Sequence, residues 1–122
     1  MSRFFKFVLA AIVSVFAVLA LSSCASAPKD MSAYSAVIDV RTQEEWAAGH
    51  LDGAVHIDIQ GADFASQIDA LDHSANYIVY CRSGNRAGQA IQQMKDAGFT
   101  GELVNAGSVE DAAQMTSMKV VQ

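Results

Sequence analysis

After residue 33, short apolar runs alternate with segments in which apolar residues recur at the spacing of a helix. Four of these runs are rich in apolar and β-branched residues, which is typical of short strands buried in a sheet. The runs cover residues 36–40, 54–57, 77–80 and 102–104.

The spacing of apolar and polar residues between these runs predicts helices. Thr42 and Glu45 fit a capping box that begins a short helix, and Gly49 ends it. Apolar residues at i, i+4 and i+7 predict an amphipathic helix over 62–71. A further helix is predicted after the third strand, and Gly98 is suited to stop it. The apolar face of that helix comprises Ala87, Ala90, Ile91, Met94 and Ala97.

This alternation indicates the fold class. It predicts a small open α/β sheet, mainly parallel, with helices on both faces. The tail from residue 109 is expected to form a helical turn followed by irregular chain. Ligand sites in such sheets lie beyond the carboxyl ends of the strands. Cys81 directly follows the strand predicted over 77–80 and precedes a helix, so we expect a site there.

The first two dozen residues have the composition of an export signal. Arg3 and Lys6 precede an apolar run over 7–21, which is shorter than the roughly 20 residues that a membrane-spanning helix needs. The run 21–24, Leu-Ser-Ser-Cys, resembles a bacterial lipobox, in which Cys24 is lipidated and becomes the first mature residue. A plain signal peptide and an uncleaved anchor are the alternatives.

The lipobox divides the chain into a signal peptide over 1–23, a tether over 24–33 and a domain over 34–122. It predicts an exported protein that the lipid on Cys24 holds at the membrane, on the periplasmic side. Ala25 follows the cysteine, which resembles the signals of Gram-negative lipoproteins sorted to the outer membrane.

Charge and cysteine content narrow the possible partners. The 122 residues include 8 Lys and Arg against 13 Asp and Glu. Loss of residues 1–23 removes two basic residues and no acidic one, which leaves a net charge of −7 and argues against nucleic acid as a partner. With Cys24 bound to lipid, Cys81 is the only thiol, so no internal disulfide is expected.

The residues around Cys81 form a loop suited to anions. The loop consists of Cys81, Arg82, Ser83, Gly84, Asn85 and Arg86. A turn this tight needs the backbone freedom of Gly84, and its inward-pointing N–H groups form an anion-binding nest. The following helix adds the positive end of its dipole, so the thiolate of Cys81 is favoured. Arg82 and Arg86 add full positive charges at the rim.

Three ordered blocks of the chain resemble the single-domain rhodaneses, and among them the small exported phage-shock type. The first block is Asp-Val-Arg at 39–41 with Glu-Trp at 45–46, continued by Gly-His-Leu at 49–51 and Gly-Ala at 53–54. The second is the loop 81–86, and the third runs from Gly-Phe at 98–99 to Asn-Ala-Gly at 105–107. The resemblance covers about residues 34–115.

The resemblance implies a thiosulfate sulfurtransferase. The Cys81 thiolate would take the outer sulfur of thiosulfate as a persulfide, and a thiol or cyanide would then accept that sulfur. Arg82 and Arg86 would bind the sulfonate end of the donor. No metal or organic cofactor is implied, and His56 and His73 show no metal-ligand spacing with a cysteine or carboxylate.

Two other functions stay open. A phosphatase or arsenate reductase is one of them. Phosphatases of the same fold, and unrelated cysteine phosphatases, place five residues between the cysteine and the arginine, whereas four lie between Cys81 and Arg86. The shorter loop makes a narrower ring, which favours a single sulfur atom over a tetrahedral phosphate. A non-catalytic persulfide carrier or sulfur sensor, with the same loop and a protein partner, is the main alternative.

The remaining polar residues have structural interpretations. Asp39 and Arg41 either brace the active-site loop or form an ion pair at the end of a strand. We expect Glu45 to serve the capping box rather than to pair with Arg86.

His50, Trp46 and Ser108 also have expected structural roles. We expect backbone hydrogen bonds to hold His50 at a turn, and Trp46 to pack on the sheet. Ser108 stands where relatives often carry a second glycine, so its side chain either narrows the pocket or adds a hydrogen bond.

Overall fold

A four-stranded parallel sheet forms the centre of the domain. The computed structural model describes residues 29–122. The strands of this sheet are β1 Ala36–Asp39, β3 Val55–His56, β4 Tyr77–Tyr80 and β5 Leu103–Asn105. They lie in the order β3-β1-β4-β5, and every neighbouring pair is parallel. The predicted α/β fold with a mainly parallel sheet is confirmed.

Four helices connect or follow these strands. The helices are α1 Gln43–Ala48, α2 Phe64–Asp69, α3 Asn85–Asp96 and α4 Val109–Thr116. The predicted capping box begins α1, because the Thr42 side chain accepts from the Glu45 N–H while the Glu45 side chain accepts from the Thr42 N–H. The backbone of Gly98 has a φ of 99°, which suits the position after α3. Ala97, which was predicted on the apolar face of α3, is exposed.

The two faces of the sheet carry separate apolar clusters, because successive strand residues point in opposite directions. Ile38 and Val79 face α2 and α3, together with Cys81. Val37 and Ile78 face the opposite way, toward Ala112 of α4. Helices therefore cover both faces, as the apolar pattern predicted.

The tail departs from its prediction. It forms the full helix α4 and then a strand, β6 Val120–Val121, which pairs antiparallel with β2 His50–Leu51. The capping box of Ser108 and Asp111 begins α4. A strand of two residues shows no periodicity, and its partner lies far away along the chain, so local patterns do not indicate it.

The segment predicted as a tether is only partly described. Its residues 29–33 contact the domain: the Lys29 N–H donates to the Met115 carbonyl at 2.9 Å, and Met31 packs on the α4 side of the sheet. The predicted signal peptide over 1–23, the lipidated Cys24 and Ala25 lie outside the described residues. No helix within 29–122 is long and apolar enough to cross a membrane.

Candidate active site

Cys81 lies directly after β4, at the carboxyl end of the sheet, as the topology predicted. Its side chain is fully buried. The Gly84 N–H donates to its Sγ at 2.9 Å, and the Cys81 N–H donates to the Gly107 carbonyl at 3.0 Å. The sulfur thus already accepts a backbone hydrogen bond of the kind that stabilises a thiolate or a persulfide anion.

The turn from β4 into α3 depends on Gly84. Its φ of 96° lies in the left-handed region, where glycine is strongly favoured. Helix α3 begins at the next residue and places its unpaired N-terminal amides within the loop that Cys81 begins. An anion at this loop therefore meets backbone donors and the positive end of a 12-residue helix dipole.

Arg86 is held by an ion pair across the site. Its Nη1 donates to Glu45 Oε1 at 2.6 Å and its Nη2 to Glu45 Oε2 at 2.9 Å. The expectation that Glu45 serves only the capping box is wrong, because its carboxylate does both. The pair with Arg86, offset in part by burial and helped by Thr42, lowers the pKa of Glu45 from 4.5 to about 2.

Arg82 is the arginine of the loop that stays available to a ligand. It is exposed and has no ion-pair partner in the described part of the chain. It lines a cavity of about 360 Å³ beside the loop. The other lining residues are Arg41, Glu45, Ala48, Val109 and Glu110. Ser83 and Asn85, the other polar members of the loop, are exposed as well.

Asp39 and Arg41 form a buried ion pair at the end of β1. Arg41 Nη2 lies 2.7 Å from Asp39 Oδ2, and Nε donates to both carboxylate oxygens. Nη2 also donates to the Gly49 carbonyl at 2.6 Å, which ties β1 to the end of α1. Neither side chain hydrogen-bonds to residues 81–86 within 29–122. Arg41 therefore borders the cavity, and neither member of the pair bonds directly to the loop.

Asn105 and Gly107, which belong to the third block of the resemblance, contact the loop, and the sequence predicted no specific bond for Asn105. Asn105 Nδ2 donates to the Gly84 carbonyl at 2.8 Å. Asn105 Oδ1 accepts from the Gly107 N–H at 3.0 Å. An asparagine at the end of a strand, two residues before a glycine, is the local signal for such a turn. Which backbone it would meet depends on β5 lying beside β4.

Ser108 does not project into the cavity as a lining residue. Its Oγ accepts from the Asp111 N–H at 3.1 Å and caps α4. The side chain thus adds a hydrogen bond, one of the two roles considered for it. That bond is made to the following helix.

His50, His56 and Trp46 form a stacked group near the end of α1. His50 Nδ1 lies 2.8 Å from the Trp46 carbonyl, which confirms that a backbone hydrogen bond holds this histidine. The Trp46 ring stacks on His50 at 3.6 Å and on His56 at 4.8 Å between centroids. The packing partners of Trp46 therefore include two imidazoles. No group of three potential metal ligands occurs among residues 29–122.

Comparison with known proteins identifies the family. Residues 23–114 match the rhodanese-like domain. The chain belongs to the rhodanese family. It is 32% identical over 76 residues to the thiosulfate sulfurtransferase PspE of Escherichia coli, covering 62% of this chain and 72% of that protein. It is 42% identical over 65 residues to the thiosulfate sulfurtransferase GlpE of Pseudomonas fluorescens, covering 52% of this chain and 57% of that protein.

A solved structure supports the same assignment. A rhodanese with anions from E. coli superposes with a TM-score of 0.57 at 29% identity, covering 71% of this chain and 96% of that one. The predicted rhodanese fold and the prediction of a rhodanese-type sulfurtransferase are thus confirmed.

Proposed function

We propose that this rhodanese moves sulfane sulfur from thiosulfate to a thiol or to cyanide through a persulfide on Cys81. The observation that carries the proposal is the Gly84 N–H donating to Cys81 Sγ at 2.9 Å, directly before the N-terminus of α3. This donor and the amides of the helix stabilise negative charge on sulfur, which both the thiolate and the persulfide carry. The similarity to PspE and GlpE, both named thiosulfate sulfurtransferases, supports thiosulfate as donor.

The first half-reaction follows from the charges around the loop. The Cys81 thiolate attacks the outer sulfur of thiosulfate, the sulfur–sulfur bond of the donor breaks, and sulfite leaves with the bonding electrons. The exposed guanidinium of Arg82 binds the sulfonate end of the donor. Arg86 contributes less free charge, because Glu45 already neutralises it.

The second half-reaction regenerates the thiolate. The acceptor, a thiolate or cyanide, attacks the outer sulfur of the persulfide and forms a bond to it. The bond between the two sulfurs breaks, and its electron pair returns to Cys81 Sγ. The Gly84 N–H stabilises the negative charge that returns to the sulfur. These steps use no metal or organic cofactor.

Exposure to thiosulfate tests the persulfide step. Intact-mass measurement of the protein should show one added sulfur atom, which fragmentation places on Cys81. Cys81→Ser should show neither the adduct nor thiocyanate formation from thiosulfate and cyanide. Full thiocyanate formation by that variant would refute the mechanism.

A persulfide carrier is the second candidate function. The complete burial of Cys81 favours it, since an acceptor must open or enter the loop to reach the sulfur. A carrier would acquire the sulfur adduct yet form thiocyanate at a negligible rate. A sulfurtransferase would turn over many times, so the ratio of turnover to adduct formation separates the two.

We also propose that the protein is exported and lipid-anchored through Cys24, on the periplasmic face of a membrane. The support is the lipobox-like run at 21–24 after an apolar segment with basic residues before it. Cys24→Ser should release the protein from the membrane fraction, whereas Ser23→Ala, which keeps a small residue before the cysteine, should leave it there. Membrane association unchanged in Cys24→Ser would contradict the anchor.

A further inference from the structure

Four hydrogen bonds form a closed ring, and two of them link the loop after β4 to the end of β5 and the loop that follows it. The Cys81 N–H donates to the Gly107 carbonyl at 3.0 Å, and the Gly107 N–H donates to Asn105 Oδ1 at 3.0 Å. Asn105 Nδ2 donates to the Gly84 carbonyl at 2.8 Å, and the Gly84 N–H donates to Cys81 Sγ at 2.9 Å. Asn105 is the one side chain besides the cysteine itself in this ring.

The partners of Asn105 fix the orientation of its amide. The oxygen faces an N–H and the nitrogen faces a carbonyl, so a flipped amide would lose both bonds. An aspartate would keep the bond from Gly107 but would repel the Gly84 carbonyl. The position therefore requires a donor and an acceptor on one short side chain.

Within this ring, Gly84 is the residue whose N–H donates to the sulfur. Gly84 has no Cβ, so its backbone is less restricted than that of other residues, and it adopts a left-handed φ of 96°. The Gly84 carbonyl accepts from the Gly88 N–H of α3 at 3.0 Å and from Asn105 Nδ2 at 2.8 Å. Asn105 therefore adds a restraint from outside the helix to the residue whose N–H points at Cys81 Sγ. Asn105 also accepts from the Gly107 N–H, and the Gly107 carbonyl accepts from the backbone N–H of Cys81.

We propose that Asn105 is a positioning residue for the reaction at Cys81: it holds the Gly84 N–H aimed at the sulfur. The inference rests on the proposed sulfur transfer for its catalytic meaning. Asn105 does not touch the sulfur, and its effect passes through Gly84. A misaligned N–H stabilises negative charge on sulfur less well, which reduces both the fraction of thiolate and the rate of turnover.

Asn76 provides a matched control. Its Nδ2 donates to the Ala33 carbonyl at 2.9 Å and its Oδ1 accepts from the Glu102 N–H at 2.7 Å. It therefore joins two backbone segments as Asn105 does, but it lies just before β4, at the opposite end of that strand from Cys81. Replacing it should cost similar stability and leave the sulfur unchanged.

The experiment compares Asn105→Ala and Asn105→Ser with Asn76→Ala in the full chain. The first readout is the pH midpoint for alkylation of Cys81 by iodoacetamide, followed on its peptide so that Cys24 does not interfere. In the Asn105 variants the midpoint should rise by about 0.5–1 pH units, the scale of one hydrogen bond. Because Asn105 is exposed, its truncation leaves no cavity in the core, and two variants guard against loss of folding.

Steady-state kinetics with thiosulfate and cyanide give the second readout. The Asn105 variants should lose about threefold to tenfold in kcat, with KM for thiosulfate within about twofold because Arg82 is untouched. Asn76→Ala should match the wild type in both readouts despite a comparable drop in melting temperature.

An alkylation midpoint in the Asn105 variants equal to that of Asn76→Ala would overturn the positioning role. Alkylation does not require sulfur transfer, so the two proposals fail separately. A wild-type protein without turnover would refute the sulfurtransferase function while the midpoint still decided the role of Asn105.

Discussion

Glu45 and Arg86 join the first helix to the Cys81 loop by a two-pronged ion pair, with nitrogen–oxygen distances of 2.6 and 2.9 Å. Glu45 also closes the capping box of α1. One carboxylate therefore serves the start of a helix and neutralises an arginine of the anion loop. This pairing leaves Arg82 as the loop arginine without an ion-pair partner among residues 29–122.

Replacing Glu45 by Gln should release the charge of Arg86 toward the loop. We expect KM for thiosulfate to fall, because a second guanidinium then attracts the dianion, while stability drops by about 0.2–1 kcal/mol for a partly exposed pair. Glu44→Gln is the control, since Glu44 is an exposed neighbour and makes the same change in net charge. Equal KM values for the two variants would show that the pair does not restrain Arg86.

The low pKa of Glu45 predicts acid sensitivity. Its folded pKa of about 2 lies below the ordinary 4.5, so the unfolded chain binds more protons between these values. The stabilising effect of the pair is then complete above about pH 4.5 and is lost as the pH falls toward 2. Urea midpoints measured from pH 6 downwards should show the wild type losing its advantage over Glu45→Gln in this window. A constant difference across it would contradict the assignment.

Local patterns predicted the features that depend on nearby residues. The strand Tyr77–Tyr80 agrees with its prediction at both ends, because its four β-prone residues follow the polar Asn76 and stop where the Cys81 loop begins. The capping box of Thr42 and Glu45 needs only a three-residue spacing. The position of Cys81 followed from the alternation of strands and helices, since parallel strands collect their carboxyl ends at one edge.

Local sequence patterns did not predict the contacts that form between distant segments of the chain. The pair of Glu45 with Arg86 spans 41 residues, and the sequence did not favour it because the capping box already explained Glu45. The pairing of β2 with β6 involves two residues on each side, too few to show a period. The bond from Asn105 to Gly84 requires β5 to lie beside β4, which is a property of the assembled sheet.

Gly84→Ala should damage the site more than the fold. A Cβ at its φ of 96° is strained by about 1–2 kcal/mol and would lie 3.4 Å from the Gly107 Cα. We expect kcat to fall about tenfold or more, since the N–H that meets Cys81 Sγ shifts. Gly98→Ala carries a similar backbone strain at the far end of α3, at a φ of 99°. It should lose comparable melting temperature yet keep its kcat, and a parallel loss of kcat there would point to general destabilisation.

Asp39→Asn should destabilise the protein strongly and leave its chemistry largely intact. The carboxylate is 0% exposed and Arg41 is 6% exposed, so the variant leaves a guanidinium buried without its counter-charge. Loss of one partner of such a pair costs about 3–5 kcal/mol, measurable by urea unfolding. Asp69→Asn is the control, because its side chain is 77% exposed and lies 3.7 Å from His73 Nε2.

Since neither Asp39 nor Arg41 hydrogen-bonds to residues 81–86 in the described chain, kcat of folded Asp39→Asn should stay within about threefold of the wild type. A much larger fall in kcat well below the melting temperature would instead show that the ion pair braces the loop.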